Sequence, residues 1–266
     1  MKIASFNVQR FGESKVSKPD VLSTLVKIVS RYDIILILEV VDKSEESVKK
    51  LLTKLNKFCK TRQIQYKSQL SARLGRSTYK EQFLFLYRDY VELTHSYQYK
   101  DNKADNPDVF AREPYILHFK PRNTVLEDIV LIPVHTTPED SKNELNALHA
   151  VSMVVRKKWN TDVCGFISGV LSKKMKKISI RTDKKFHWLI GDDVDTTVIT
   201  TNDHTYDRIV VYGDVMTDGI EPDSAKPFNF HLFIACTFLL KALEVSDHYP
   251  VEVELRRRSP PQEAQK

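Results

Sequence analysis

Seven polar residues stand where apolar segments of this sequence begin or end, and their types define the chemistry available. Asn7 ends "IASFN", Glu39 ends "IILILE" and His135 ends "IVLIPVH". Glu81 opens "QFLFLYR" from the preceding "GRSTYK", Asp207 opens "DRIVV", and Asp247 and His248 precede "YPVEVEL". A carboxylate at the end of an apolar run is costly to bury alone, so Glu39 calls for a cation or a strong donor. Oxygen ligands such as Glu39, Asn7 and Asp247 suit Mg²⁺ or Mn²⁺. Two imidazoles with two further carboxylates can form His-carboxylate pairs for proton transfer. The chain has no cysteine-histidine cluster, no G-x-S-x-G elbow and no phosphate-cradling P-loop. Metal-assisted phosphodiester hydrolysis fits this set.

Short apolar segments must position these residues. Strands are expected at "IASFNV", "DIILILEV", "QFLFLYR", "VELTHSYQY", "YILHFK", "DIVLIPVH", "HWLIG", "DRIVVYG" and "YPVEVEL". Helices are expected over 19–31, over 43–58 with Asp42 and Glu45 in capping-box spacing, and over 140–159. Neither repeats nor Gly/Ser linkers interrupt the chain. One domain is therefore expected over 1–255, built as two sheets with helical cover, followed by a basic, disordered tail over 256–266. The 266 residues carry a net charge of +6 and a pI near 9.0, which favours a polyanionic partner. No run approaches the roughly 18 apolar residues of a membrane span, so no membrane partner is expected. The strand-like start "MKIASFNV" does not read as a signal peptide. Cys59, Cys164 and Cys236 form no zinc-type spacing and no evident disulfide framework.

Together, "KIASFNVQRFGESK", "SRYDIILILEVVD", "LGRSTYKEQFLFLYR", "FAREP", "VHTTPEDSKNELNAL", "FHWLIGDDVDTT", "TYDRIVVYG" and "SDHYPVEVEL" resemble the deoxyribonuclease I family, in that family's order over nearly the whole chain. The resemblance implies an α/β fold: a four-layer sandwich with two central, mostly antiparallel sheets flanked by helices. It implies a monomeric endonuclease that hydrolyses double-stranded DNA with Mg²⁺ (or Mn²⁺) and Ca²⁺. Glu81 would orient His135, Asp207 would partner His248, and Glu39 and Asp247, with Asn7, would form the metal side. Arg76 and Tyr79 resemble the minor-groove loop, and Arg112 resembles a phosphate-contacting arginine. Asp108 with Glu113, and Asp195 with Thr197, resemble structural Ca²⁺ sites. Val41 replaces a groove-reaching arginine. His95, His118, His149, His187 and His231 match no family site. Lys173, Lys174, Lys176 and Lys177 read as a solvated face, and Arg256, Arg257 and Arg258 as a plain basic tail or a nucleic-acid contact.

One segment departs from the family. Where relatives carry a core strand ending in Gly-Asp-Phe-Asn, this chain reads "WNTDVCGFISGVLSKKMKKI". Either residues are missing near Val163 and Cys164, or "VCGFI" replaces the strand and Ser168 or Gly169 stands at the acid position. His204 replaces the cysteine that the family pairs with Cys164, a loss of about 2–4 kcal/mol. Weakened DNA cleavage is therefore expected. The alternatives are a catalytically silent DNA-binding homologue and a phosphodiesterase of the same superfold acting on another phosphate ester. Family resemblance implies secretion, whereas the absent leader points to an intracellular or nuclear protein.

Overall fold

Alternation along the strands sets the layering. In the segment Ile34–Val40, Ile35 and Ile37 pack toward the helices on one flank, whereas Ile34, Leu36 and Leu38 face a central apolar layer. Farther on, Ile129 and Leu131 enter that central layer, and Val130, Ile132 and Val134 face a third. Sheets apolar on both faces must be covered on both, since apolar surface left in water forfeits about 25 cal/mol per Å². The outcome is the four-layer α/β sandwich that the family resemblance implies.

The computed structural model describes all residues except 102–107, 138, 169–176, 202–203, 234–238 and 259–266. The first half contains β1 (Lys2–Phe11), α1 (Glu13–Val16), α2 (Pro19–Val29), β2 (Ile34–Val40), α3 (Glu46–Cys59), β3 (Tyr66–Leu70), β4 (Gln82–Arg88), β5 (Glu92–Gln98) and β6 (Tyr115–Lys120). Next come β7 (Ile129–His135), α4 (Ser141–Trp159), β8 (Val163–Ser168), α5 (Ser179–Thr182), β9 (Phe186–Trp188) and β10 (Arg208–Tyr212). The chain closes with α6 (Asp214–Asp218), β11 (Lys226–Pro227), α7 (Phe230–Phe233), α8 (Leu239–Val245) and β12 (Val251–Glu254). One sheet has the order β11-β12-β1-β2-β4-β3 and the other β5-β6-β7-β8-β10-β9. Each contains one parallel pair, β1 with β2 and β7 with β8, among antiparallel neighbours. The helices α2 and α3 cover the first sheet, and α4 covers the second.

Three sequence expectations shift. Helix α3 starts at Glu46 because Glu45 adopts a left-handed φ of 61°; Asp42 still caps, accepting the Ser47 N–H at 2.6 Å. Arg256–Arg258 are not a loose tail: Val125 N–H donates to the Arg256 carbonyl at 3.1 Å and Arg258 N–H to the Asn123 carbonyl at 3.0 Å. At the departing segment, where two alignments to the family are open, β8 fills the slot between β7 and β10 with His135 opposite Ser168. Gly169, Lys173, Lys174, Lys176, Cys236 and residues 259–266 lie outside the described residues, as does the Cys164 side chain.

Candidate active site

The parallel pairs bring their C-terminal ends to one end of the sandwich, and the site is assembled there. Register shifts interrupt β1 between Asn7 and Phe11 and β2 between Ile37 and Val40. At these interruptions Gln9, Arg10 and Glu39 take positive φ values of 42°, 56° and 59°. Left-handed backbone at such residues costs on the order of 1 kcal/mol each, and is kept where surrounding structure enforces it. Here it turns Glu39 out of the β2 alternation toward β1. The Glu39 carboxylate accepts the Asn7 Nδ2 hydrogen bond at 2.8 Å and the Arg10 N–H at 3.0 Å.

Two imidazoles flank this carboxylate, each fixed in the same way. His135 Nδ1 lies 2.8 Å from Glu81 Oε2, and His248 Nδ1 lies 2.6 Å from Asp207 Oδ2. Each Nε2 faces inward, 3.7 Å from Glu39 Oε1 for His135 and 3.9 Å from Asp247 Oδ1 for His248. Those separations exceed hydrogen-bond length, so both Nε2 atoms are left for a substrate. Burial works against the His248 imidazolium, but the Asp207 carboxylate, with Asp247 and Glu39 beyond it, outweighs burial and lifts its pKa to about 9. Burial likewise opposes ionisation of Glu81. The hydrogen bond from His135 and then the Arg112 charge prevail, and hold that carboxyl below its ordinary range.

All four expected catalytic residues thus converge as two pairs. Asn7, expected on the metal side, commits its Nδ2 to Glu39 and its Oδ1 to the Gln9 N–H at 2.9 Å, and so orients Glu39. Arg112 reaches Glu81 Oε1 at 2.8 Å, buttressing the His135 pair. Tyr79 is 42% exposed; burial, then the Glu81 and Glu39 charges, push its pKa up to about 12. Arg76 does not project freely. It bridges Asp108 Oδ2 at 3.1 Å and Asp140 Oδ2 at 2.8 Å. Asp108 therefore pairs with Arg76, and no described contact joins it to Glu113. Asp195 and Thr197 do meet, with Asp195 Oδ1 accepting the Thr197 N–H and hydroxyl, both at 2.8 Å.

Three supporting residues escaped the sequence reading. Ser246 donates its hydroxyl to the Asn7 carbonyl at 2.6 Å and accepts the His248 N–H at 3.1 Å, tying the "SDH" turn to β1. Its signal was available, since a serine heading a turn commonly bonds local backbone. Thr196 Oγ1 accepts the N–H groups of Tyr206 at 3.0 Å and Asp207 at 3.2 Å, fixing the acid that holds His248. Lys15 is buried behind the site, donating to the Val245 carbonyl at 2.7 Å and the Glu244 carbonyl at 3.2 Å. Burial lowers its pKa to about 8 against the opposing pull of Asp247 and Glu39. Nothing in "GESKVS" separates this lysine from its exposed neighbours.

Glu39 and Asp247 offer a metal ion two carboxylates at one sheet end. No cluster of three or more His, Cys, Asp or Glu with metal-site geometry occurs among the described residues. Two carboxylates completed by water and substrate oxygens fit Mg²⁺, which resists full dehydration.

The chain is 41% identical to human deoxyribonuclease gamma over 264 residues, covering 96% of this chain and 86% of that protein. It is 42% identical to deoxyribonuclease-1 of Oryctolagus cuniculus over 264 residues, covering 96% and 92%. The chain belongs to the deoxyribonuclease I family. Among solved structures, an endonuclease/exonuclease/phosphatase family protein from Leptotrichia buccalis C-1013-b aligns with a TM-score of 0.67 at 14% identity, covering 96% of this chain and 99% of that one. The D. rerio TDP2 structure complexed with single strand DNA product aligns with a TM-score of 0.58 at 11% identity, covering 95% and 97%. These two share the fold. No family model matches the chain. Ser168, opposite His135 at the end of β8, is 1% exposed, its Oγ without a hydrogen-bond partner among the described residues.

Proposed function

We propose that this protein is an endodeoxyribonuclease that hydrolyses phosphodiester bonds of double-stranded DNA, with activity reduced by Ser168 at the acid position. The observation that carries the reading is the pair of Nδ1-anchored imidazoles whose Nε2 atoms face Glu39 and Asp247. One Nε2 takes a proton from the attacking water as the new P–O bond forms. The other gives a proton to the leaving 3′ oxygen as the P–O3′ bond breaks. Glu81 and Asp207 hold the rings and stabilise whichever imidazole is charged, a contribution of about 10²–10⁴-fold in such systems. Glu39 and Asp247 would hold Mg²⁺, which when bound polarises the phosphate and offsets charge in the transition state. A Ca²⁺ requirement is assigned to the Asp195–Thr197 turn alone, since Asp108 is engaged by Arg76.

Tyr79 and Arg112 are the DNA-contacting residues nearest the imidazoles, while Arg76 shapes the groove loop by clamping it to Asp108 and Asp140. The protein acts as a monomer. Secretion comes with the family reading and is tested by export of the product of the full-length transcript. No helix among the described residues is long and apolar enough to cross a membrane. Nicking of supercoiled plasmid with Mg²⁺ and Ca²⁺ tests the function. Weak cleavage lost in His135→Ala and His248→Ala supports the proposal. Duplex binding with no cleavage at any metal concentration would identify a silent DNA-binding homologue instead.

A further inference from the structure

At the end of the sandwich away from the imidazoles, where β1 begins and β12 ends, a cavity of about 570 Å³ is lined in part by Lys2, Arg31, Asp33, Arg88, Arg122 and Arg257. The charges within its wall cancel. Arg88 pairs with Asp33 at 2.8 Å, Arg31 with Glu252 at 3.4 Å, and Lys2 with Glu252 at 3.1 Å and Glu254 at 3.0 Å. Three side-chain cations thus meet three carboxylates, and the α-amino group of Met1 donates to the Leu255 carbonyl at 3.0 Å.

Arg122 and Arg257 are the surplus. Both are exposed, and neither has a carboxylate partner among the described residues. The backbone sets them together. Thr124 bridges Arg257, Arg258 N–H donates to the Asn123 carbonyl at 3.0 Å, and Asn123 turns the chain through a φ of 59° just after Arg122. Two planar guanidinium forks without carboxylates match phosphate oxygens in charge and geometry. A terminal phosphate carries a charge of about −1.5 to −2, matching the two arginines, whereas a backbone diester carries about half that. The recess falls within the roughly 300–1,000 Å³ range of small-ligand pockets, and a duplex is too wide to enter it. At about 3.3 Å per residue, the five steps of β1 from Lys2 to Asn7 separate this cavity from the imidazole site by about 17 Å.

We propose that this cavity is a second anion site, which binds a terminal phosphate group, a phosphomonoester, on Arg122 and Arg257. The proposal does not depend on the nuclease reading. Calorimetric titration of the full chain in metal-free buffer tests it. The probes are dAMP, inositol 1-phosphate, and one short oligonucleotide in 5′-phosphorylated and 5′-hydroxyl forms. Saturable binding of a phosphomonoester probe is expected, at least about ten-fold weaker in the Arg122→Ser/Arg257→Ser double variant. Binding of the phosphorylated oligonucleotide and dAMP but not the inositol phosphate identifies a nucleic-acid end; the reverse identifies a phosphorylated headgroup. Because both arginines are exposed, thermal stability and any plasmid nicking should not change. Equal affinity in the double variant, or no saturable phosphomonoester binding by the unmodified protein, overturns the proposal.

Discussion

At His135 and His248 one hydrogen-bond device recurs, a buried carboxylate on Nδ1 that leaves Nε2 for the reaction. Replacing Glu81 tests both halves of the device. Its carboxyl is depressed in the folded state, so its stabilisation is present above the unfolded pKa and lost as pH falls through the lower folded value. Glu81→Gln should therefore cost about 1–3 kcal/mol near pH 7, and its melting curve should converge on that of the unmodified protein in acid. A melting difference that widened toward low pH would contradict the assignment. Ser168 provides the opposite test. Ser168→Asp should raise plasmid cleavage on the order of 10²-fold with Mg²⁺, yet lower the melting temperature of the metal-free protein by burying an unpaired carboxylate. Ser168→Ala should change neither.

The elements deliver these residues by ending irregularly. The left-handed turns at Gln9, Arg10 and Glu39 and the tether from Ser246 to Asn7 place residues from β1, β2 and the turn before β12 within reach of one another. Lys15, in α1, anchors the last carbonyls of α8, the element that leads into this turn. Lys15→Met keeps the volume but leaves those acceptors unpaired, so a loss of about 1–3 kcal/mol is expected, with a fall in cleavage as Asp247 and His248 shift. The sign of its pH dependence is distinctive. With a folded pKa near 8 against 10.5, the unfolded chain holds more protons between those values, and this group's contribution to stability rises with pH there. Denaturant titrations across that interval should show the rise in the unmodified protein relative to Lys15→Met. Parallel curves would remove Lys15 from the anchoring role.

Over the whole molecule, the net charge of +6 favours duplex DNA at long range while the site chemistry stays local. Affinity for duplex DNA should fall steeply with salt and depend little on sequence, because phosphate contacts release counterions. Fluorescence anisotropy on two unrelated duplexes at several salt concentrations checks both points. Arg76→Ala should weaken binding with a stability cost within about 1 kcal/mol, the range of exposed ion pairs. A salt-independent affinity would remove the electrostatic basis of the DNA reading.

Residue pattern in the sequence determined the two-sheet layering, because the near-continuous apolar runs "IILILEV" and "IVLIPV" demand apolar cover on both faces. Residue type and strand-end position determined the two imidazoles and four carboxylates, since buried acids at such places need partners. Tertiary structure alone decided which atoms those groups use. Asn7 orients Glu39 through its Nδ2, and Arg76 ties its loop to Asp108 and Asp140, contacts whose acceptors lie far away in sequence. It also decided that "VCGFIS" fills the strand slot, since an empty slot between β7 and β10 would leave two sheet edges unpaired inside the sandwich. Lys15 was illegible for the same reason. Its acceptors are 229 and 230 residues away, and no local pattern encodes a contact that only the folded chain creates.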